Sequence, residues 1–301
     1  MAKLKRDGRA ISTLNKLEWL LGFSYPSIGQ KSLSDIRPTD VLELARAVEL
    51  RGRFETARRL RSTIGSVFRF AIATARAETD PTLALRGALA RPQTKSHAAI
   101  IDAKAFGALL RAIDGFQGQP TTHAALKLMA LLFPRPGELR AAEWAEFDLS
   151  AETWTIPAAR TKMRRVHCVP LTRQTLEILE GLQPITGMGR LVFPSVRTAT
   201  KPISENTLNA ALRRMGYGPD EATSHGFRAS ASTLLNESGN WNADAIERQL
   251  AHIESNKVRR AYARGEHWDE RVRMMAWWAD YLDSLKTVGR VIPFVAPAKQ
   301  G

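Results

Sequence analysis

The sequence predicts a mainly α-helical protein of two domains: a helical domain over about residues 1–92, then a larger α-rich domain over about 98–301 carrying a small antiparallel β-sheet. Three observations predict it. Apolar residues recur at helical spacing through most of the chain. A polar stretch with proline and no apolar period, Arg91-Pro92-Gln93-Thr94-Lys95-Ser96, interrupts that pattern and marks the linker. Past the middle, two short strand-like runs flank a basic segment. With 301 residues, 44% of them hydrophobic, the chain can fill two cores.

In the first domain, helices are expected from Leu14 to Phe23, from Thr39 to Leu50 with a stop at Gly52, and from Glu55 to Ala77. In the third of these, Leu60, Ile64, Val67 and Ala71 form an apolar stripe, while Arg58, Arg61, Arg69 and Arg76 lie largely off it. One face packs and the other is free to meet phosphate. A second helical block begins near Asp102, and the apolar run Ala124 to Phe133 is broken by Pro134, which places Arg135 at a helix junction.

Trp154 to Pro157 and Val166 to Leu171 read as two strands of a hairpin with the cationic tip Arg160-Thr161-Lys162-Met163-Arg164-Arg165. Helices resume over Thr175 to Leu182, Glu205 to Met215, Phe227 to Glu237 ended by Gly239, and Ala243 to Leu250. A final amphipathic helix, Asp269 to Lys286, has Val272, Met275, Leu282 and Leu285 on its apolar side. Internal repeats and low-complexity tracts are absent from the sequence.

The formal charge is +14, and residues 1–95 hold 18 Lys and Arg against 9 Asp and Glu. Such a surface concentrates polyanions, so nucleic acid is the expected partner. Cys168 is the single cysteine, which excludes an intrachain disulfide and fits a reducing cytoplasm. No stretch approaches the ~20 apolar residues of a membrane span, and the start lacks an apolar signal core. The sequence also lacks a His-Glu-x-x-His motif, a phosphate-binding Gly-x-x-x-x-Gly-Lys loop and paired-cysteine zinc spacing.

The chemistry lies in an ordered set. Arg135 stands in Arg-Pro-Gly-Glu-Leu; Lys162 follows in the hairpin; then come His225-Gly226-Phe227-Arg228, Gln249-Leu250-Ala251-His252, and Tyr262 among Arg259, Arg260 and Arg264. Taken singly, a histidine or tyrosine is more often structural. As a series, these residues resemble the catalytic domain of the tyrosine recombinases, the phage integrase family, and the resemblance covers essentially the whole chain. Glu205 to Asn209, His225 to Arg228 and Asn256 to Tyr262 look most like integrases of satellite phages and genomic islands. Integrases of that branch carry a further N-terminal domain for arm-type sites, which is expected to be lacking here, since the chain opens on what resembles the core-binding domain.

The resemblance implies the tyrosine recombinase fold and a role for each residue. Tyr262 would attack the scissile phosphate to give a 3′-phosphotyrosine and a free 5′-hydroxyl, conserving bond energy across two transesterifications. Arg135 and Arg228 would hold the non-bridging oxygens by charge-assisted contacts, with no metal ion or other cofactor needed. Lys162 would act as general acid to the departing 5′-oxygen. Arg160, Arg164 and Arg165 rival it only as DNA contacts, because arginine rarely releases a proton. His225 would assist deprotonation of Tyr262 or position the phosphate, His252 would donate to a phosphate oxygen, and Glu138 would orient the neighbouring arginine. Arg58, Arg61 and Arg69 join the DNA-contact set.

Implied partners are double-stranded attachment sites, host DNA-bending or excisionase proteins, and three further copies in a synaptic tetramer, the free protein being largely monomeric. The two domains would clamp the duplex. His97, His123, His167 and His267 read as structural or surface residues, and Trp277-Trp278 as packing or a contact between protomers. Two rivals stand beside it: a catalytically silent DNA-binding regulator using the same fold, and a DNA-relaxing enzyme of the type IB topoisomerase kind, which shares the phosphotyrosine chemistry.

Overall fold

Where the N-terminal periodicity predicts helices, a computed structural model places them. It describes residues 1–92, 98–252 and 267–287. The chain divides into two units, Met1–Lys95 and Ser96–Gly301. In the first, α1 (Ala2–Arg6), α2 (Ile11–Gly22) and α3 (Tyr25–Ile28) precede α4 (Pro38–Glu49) and α5 (Phe54–Ala73). Helix α4 starts with Pro38, whose missing N–H costs nothing in a first turn, and Asp40 accepts the Arg37 N–H at 2.9 Å. Leu20, Val41, Leu44, Val48, Leu60, Ile64 and Phe68 make the core of this unit.

Two sequence expectations shift in α5. The buried stripe runs through Phe68, 2% exposed, whereas Val67 is 37% exposed. A step of four from Ile64 keeps to the packed face, and a step of three reaches its edge. The helix also stops at Ala73 instead of Ala77, because Ala75 takes a left-handed φ of 54°.

The second unit opens with α6 (Ala103–Asp114), capped by Asp102, which accepts the Ala105 N–H at 2.8 Å. Then come α7 (Pro120–Leu132), α8 (Pro136–Arg140), and the strands β1 (Phe147–Asp148), β2 (Thr153–Ile156) and β3 (His167–Pro170), an antiparallel sheet in the order β1-β2-β3. Trp154 faces Val169 and Ile156 faces His167, so the expected hairpin forms in that register. After α9 (Arg173–Thr186) a second hairpin, β4 (Pro194–Ser195) with β5 (Thr198–Pro202), escaped the sequence reading. Its strands are short and proline-bounded, with no apolar alternation. Helices α10 (Thr207–Arg214), α11 (Gly226–Ser238), α12 (Ala243–Gln249) and α13 (Trp268–Thr287) complete the unit.

Trp278 lies at the centre of this second core, fully buried, 6.0 Å from Phe133 and 6.3 Å from Phe106 by ring centroids. Its indole N–H donates to the Ala130 carbonyl at 3.0 Å, so the polar atom of a core side chain is satisfied. Helix α13 buries Met274, Met275, Trp278, Ala279, Leu282 and Leu285, while Val272, expected inside, is 41% exposed. Gly107 of α6 lets α13 approach closely: a Cβ there would lie 2.4 Å from the Leu285 carbonyl oxygen. Among the described residues no helix is long and apolar enough to cross a membrane.

Candidate active site

Helix α7 ends where Phe133 turns left-handed, at φ 39°, and Pro134 has no N–H with which to continue the ladder. The chain restarts at Pro136, so Arg135 sits in the break. Glu138 then holds it twice, accepting the Arg135 backbone N–H at 3.2 Å and its Nη1–H at 3.0 Å. The Glu138 side chain is only 5% exposed. The other end of the guanidinium donates through Nη2 to the Ala251 carbonyl at 3.0 Å.

Arg228 comes from the first turn of α11 and reaches the same place. Its Nη1 donates to the Phe133 carbonyl at 2.9 Å and its Nη2 to the Leu250 carbonyl. Two guanidinium groups are therefore anchored on consecutive carbonyls, at 250 and 251. Burial, and then the neighbouring charge of Arg135, pull Arg228 down to about 10, which leaves it cationic at neutral pH. Ala251 itself has a left-handed φ of 49°. For a residue with a Cβ that conformation costs about 1 kcal/mol or more, and it lies at the carbonyl that Arg135 grips.

His252 adjoins the pair, its Nε2 3.2 Å from Arg228 Nη2 and its Nδ1 2.8 Å from Glu247 Oε2. A guanidinium only donates, so Nε2 accepts here and the ring proton faces Glu247. A second proton, added at Nε2, would turn that nitrogen into a donor. His225 is exposed at the start of α11, and its carbonyl accepts the Arg228 N–H at 3.2 Å. The following Gly226 is sterically required, since a Cβ would come within 2.2 Å of the Ala98 carbonyl oxygen.

The hairpin loop between β2 and β3 carries the remaining cations. Buried Thr161 shapes it, accepting the Arg165 N–H at 3.0 Å and donating to the Arg165 carbonyl at 2.7 Å. Lys162, Arg164 and Arg165 are exposed. A cavity of about 80 Å³ is lined by Thr161, Met163 and Arg165 from this loop together with Arg135 and His252; Lys162 is outside that lining. Arg160 departs from expectation. Its guanidinium turns inward, 2.5 Å from Glu146 Oε1 and donating to the Glu138 carbonyl, and with only 18% of the side chain exposed it is committed to the protein and not to a phosphate.

In the N-terminal unit, Arg58 is exposed, Arg61 donates to the Leu85 carbonyl at 3.0 Å, and Arg69 pairs with Asp80 at 3.3 Å. Tyr262 and His97 lie outside the described residues. His267 is 3.3 Å from Glu270, and His123 is held below its ordinary value by burial.

Three residues around this centre have no site role in the sequence reading: His167, read there as structural or surface, Gln249, quoted only beside His252, and Arg271, not singled out. His167 lines the cavity, and burial together with the charges of Arg271, Arg135 and Arg228 lowers it to about 3. Arg271, 2% exposed, donates to Gln249 Oε1 at 2.8 Å and to the Cys168 carbonyl. The available signal was an arginine at helical spacing from Met274, Met275 and Trp278, on the apolar side of the last helix, since a charge in that position needs a built partner set. Among the described residues, no three His, Cys, Asp or Glu side chains are grouped to hold a metal.

Residues 1–88 match the phage integrase central domain and residues 100–267 the phage integrase family. The chain is 38% identical over 273 residues to the putative protein IntB of Escherichia coli K12, covering 86% of this chain and 69% of that one. It is 39% identical over 281 residues to the integrase of Enterobacteria phage P4, covering 89% of this chain and 64% of that one. In fold it is similar to lambda integrase residues 75–356, solved as a dimer on a COC′ core site, with a TM-score of 0.66 at 20% identity over 84% of this chain and 92% of that one. Matched along nearly its whole length, the chain belongs to the phage integrase family, the tyrosine recombinases.

Proposed function

We propose that this chain is a site-specific recombinase that cleaves and rejoins DNA, inserting or excising a mobile element. One observation carries the reading: Arg135 and Arg228 are fixed on consecutive carbonyls beside His252, which with Arg135 lines a cavity and stands ten residues before Tyr262. Arg135 is already paired with the Glu138 carboxylate, yet the two guanidinium groups, and His252 once it is protonated, remain a cluster of donors, and a phosphodiester supplies two non-bridging oxygens to accept from them.

In this reading Tyr262 Oη attacks phosphorus and the P–O5′ bond breaks. The leaving oxygen takes a proton from the Lys162 ammonium, and the tyrosine proton leaves with the help of His225. Arg135, Arg228 and His252 stabilise the charge on the pentacoordinate phosphate, and Arg165 touches the DNA backbone from the cavity rim. Rejoining reverses the step with a 5′-hydroxyl from another strand. The DNA duplex is the partner, with Arg58, Arg61, Arg69 and Arg164 as further contacts. Lambda integrase, whose fold this chain shares, is solved as a dimer on a core site and as a tetramer on a Holliday junction, which supports assembly of copies on DNA here. A largely monomeric free protein, a tetramer on synapsed sites, host bending or excisionase factors, a cytoplasmic location and action without a cofactor complete the proposal, as do domain limits near 1–92 and 98–301.

The test is a nicked suicide duplex carrying the junction sequence beside the gene. A covalent protein–DNA adduct on a denaturing gel, lost in Tyr262→Phe, is the expected result. Tight binding with no adduct would leave a silent regulator, and relaxation of supercoils without strand exchange would indicate a relaxing enzyme.

A further inference from the structure

Arg160 joins two parts of the site that are 22 residues apart in sequence. Its backbone is at the base of the hairpin loop, where its N–H donates to the Pro157 carbonyl at 2.9 Å, two residues before Lys162. Its side chain crosses to α8, the helix that Arg135 immediately precedes. One terminal nitrogen donates to the carbonyl of Glu138, whose carboxylate holds Arg135, and the other meets Glu146, which also accepts the Trp154 indole N–H at 3.0 Å. Glu146 is 8% exposed, so this pair is shielded from the solvent that weakens surface ion pairs.

We propose that Arg160 is a positioning residue, which fastens the root of the 157–166 loop to Glu138 and Glu146 so that Lys162 and Arg135 act on the same phosphate. The guanidinium fork spans two acceptors at once, and a lysine ammonium at that position cannot reproduce the planar geometry. The inference rests on the reading in which Lys162 protonates the departing 5′-oxygen. A substrate with sulfur in place of the bridging 5′-oxygen releases a thiolate, which needs no proton, so it reports specifically on delivery of the acid.

The test compares Arg160→Lys, Glu146→Gln and Lys162→Ala in the full chain. Two nicked duplexes of the junction sequence are used, one with an ordinary phosphodiester and one with a 5′-bridging phosphorothiolate. Arg160→Lys and Glu146→Gln are expected to cleave the ordinary substrate on the order of 100-fold more slowly, the effect of a misplacement of about 1 Å, and to regain the unsubstituted rate on the phosphorothiolate. Equal slowing on both substrates, with Lys162→Ala still rescued, would overturn the inference and leave the proton-donor reading intact. Unchanged rates on both would overturn it too. Failure to rescue Lys162→Ala would remove the proton-donor reading and this inference with it. If Arg160→Lys does not fold in a thermal melt, Glu146→Gln, which keeps size and the indole contact, decides alone.

Discussion

Arg135 and Arg228 of the C-terminal unit and Arg58 and Arg69 of the N-terminal unit are held in opposite ways. Arg135 and Arg228 in the C-terminal unit are partly buried, each bonded to backbone carbonyls that fix its orientation before any substrate arrives. On α5 of the N-terminal unit, Arg58 is exposed and Arg69 has 59% of its side chain in solvent, meeting Asp80 at 3.3 Å and the Ser66 hydroxyl at 2.8 Å and, among the described residues, no backbone carbonyl. The difference teaches what each can do. A preorganised cation in a water-poor site discriminates between ground and transition states, whereas a solvated one contributes a screened, orientation-tolerant attraction. The pinned pair is suited to chemistry and the exposed set to holding a duplex.

Breaking the pinned pair is expected to have the largest effect. Arg228→Ala should reduce adduct formation by about 100- to 1,000-fold, the scale of one lost oxyanion donor, and change DNA affinity much less. A parallel loss of affinity would mean that Arg228 binds ground state and transition state alike. In the fold beneath it, Trp278→Ala should destabilise the second unit by about 3–5 kcal/mol, read by denaturant melts, because the cavity left by a core indole cannot collapse.

The pH dependence of stability sharpens the same comparison. His167 is depressed to about 3 by burial and by Arg271, Arg135 and Arg228, so the native state refuses a proton that the unfolded chain accepts below about 6.5. Its contribution is whole above that value and falls as pH drops from about 6.5 toward 3, by at most ~1.4 kcal/mol per unit. His167→Gln should flatten the acid limb of a Tm-against-pH curve; an unchanged limb would put the titrating group elsewhere. The smallest effect belongs to the exposed set. Arg58→Ala should weaken binding modestly on all sequences and lower the log–log salt slope by about 0.9, and Arg58→Lys should leave both nearly intact.

Much of this was legible in the sequence because it is local. The break at Pro134, the hairpin around Lys162 and the stop at Gly239 each rest on a backbone rule that neighbouring residues satisfy by themselves. Errors arose where packing chooses between adjacent positions. Val67 and Phe68 are both apolar, and only the partner helices determine which one is buried. Val272 was misplaced for the same reason. The β4–β5 hairpin was missed because β4 is two residues long and β5, Thr198–Pro202, has no apolar alternation to read.

The ordered set of Arg135, Lys162, His225, Arg228, His252 and Tyr262 was determined by the sequence alone, because residue type and order in the chain specify it. Tertiary structure decided what each cation faces. Arg160 and Arg165 stand in one basic run, yet Arg160 is drawn inward by Glu146 and the Glu138 carbonyl while Arg165 lines the cavity. Those acceptors come from a different part of the chain, and a charge has no direction in sequence until folding brings its partners within hydrogen-bond range.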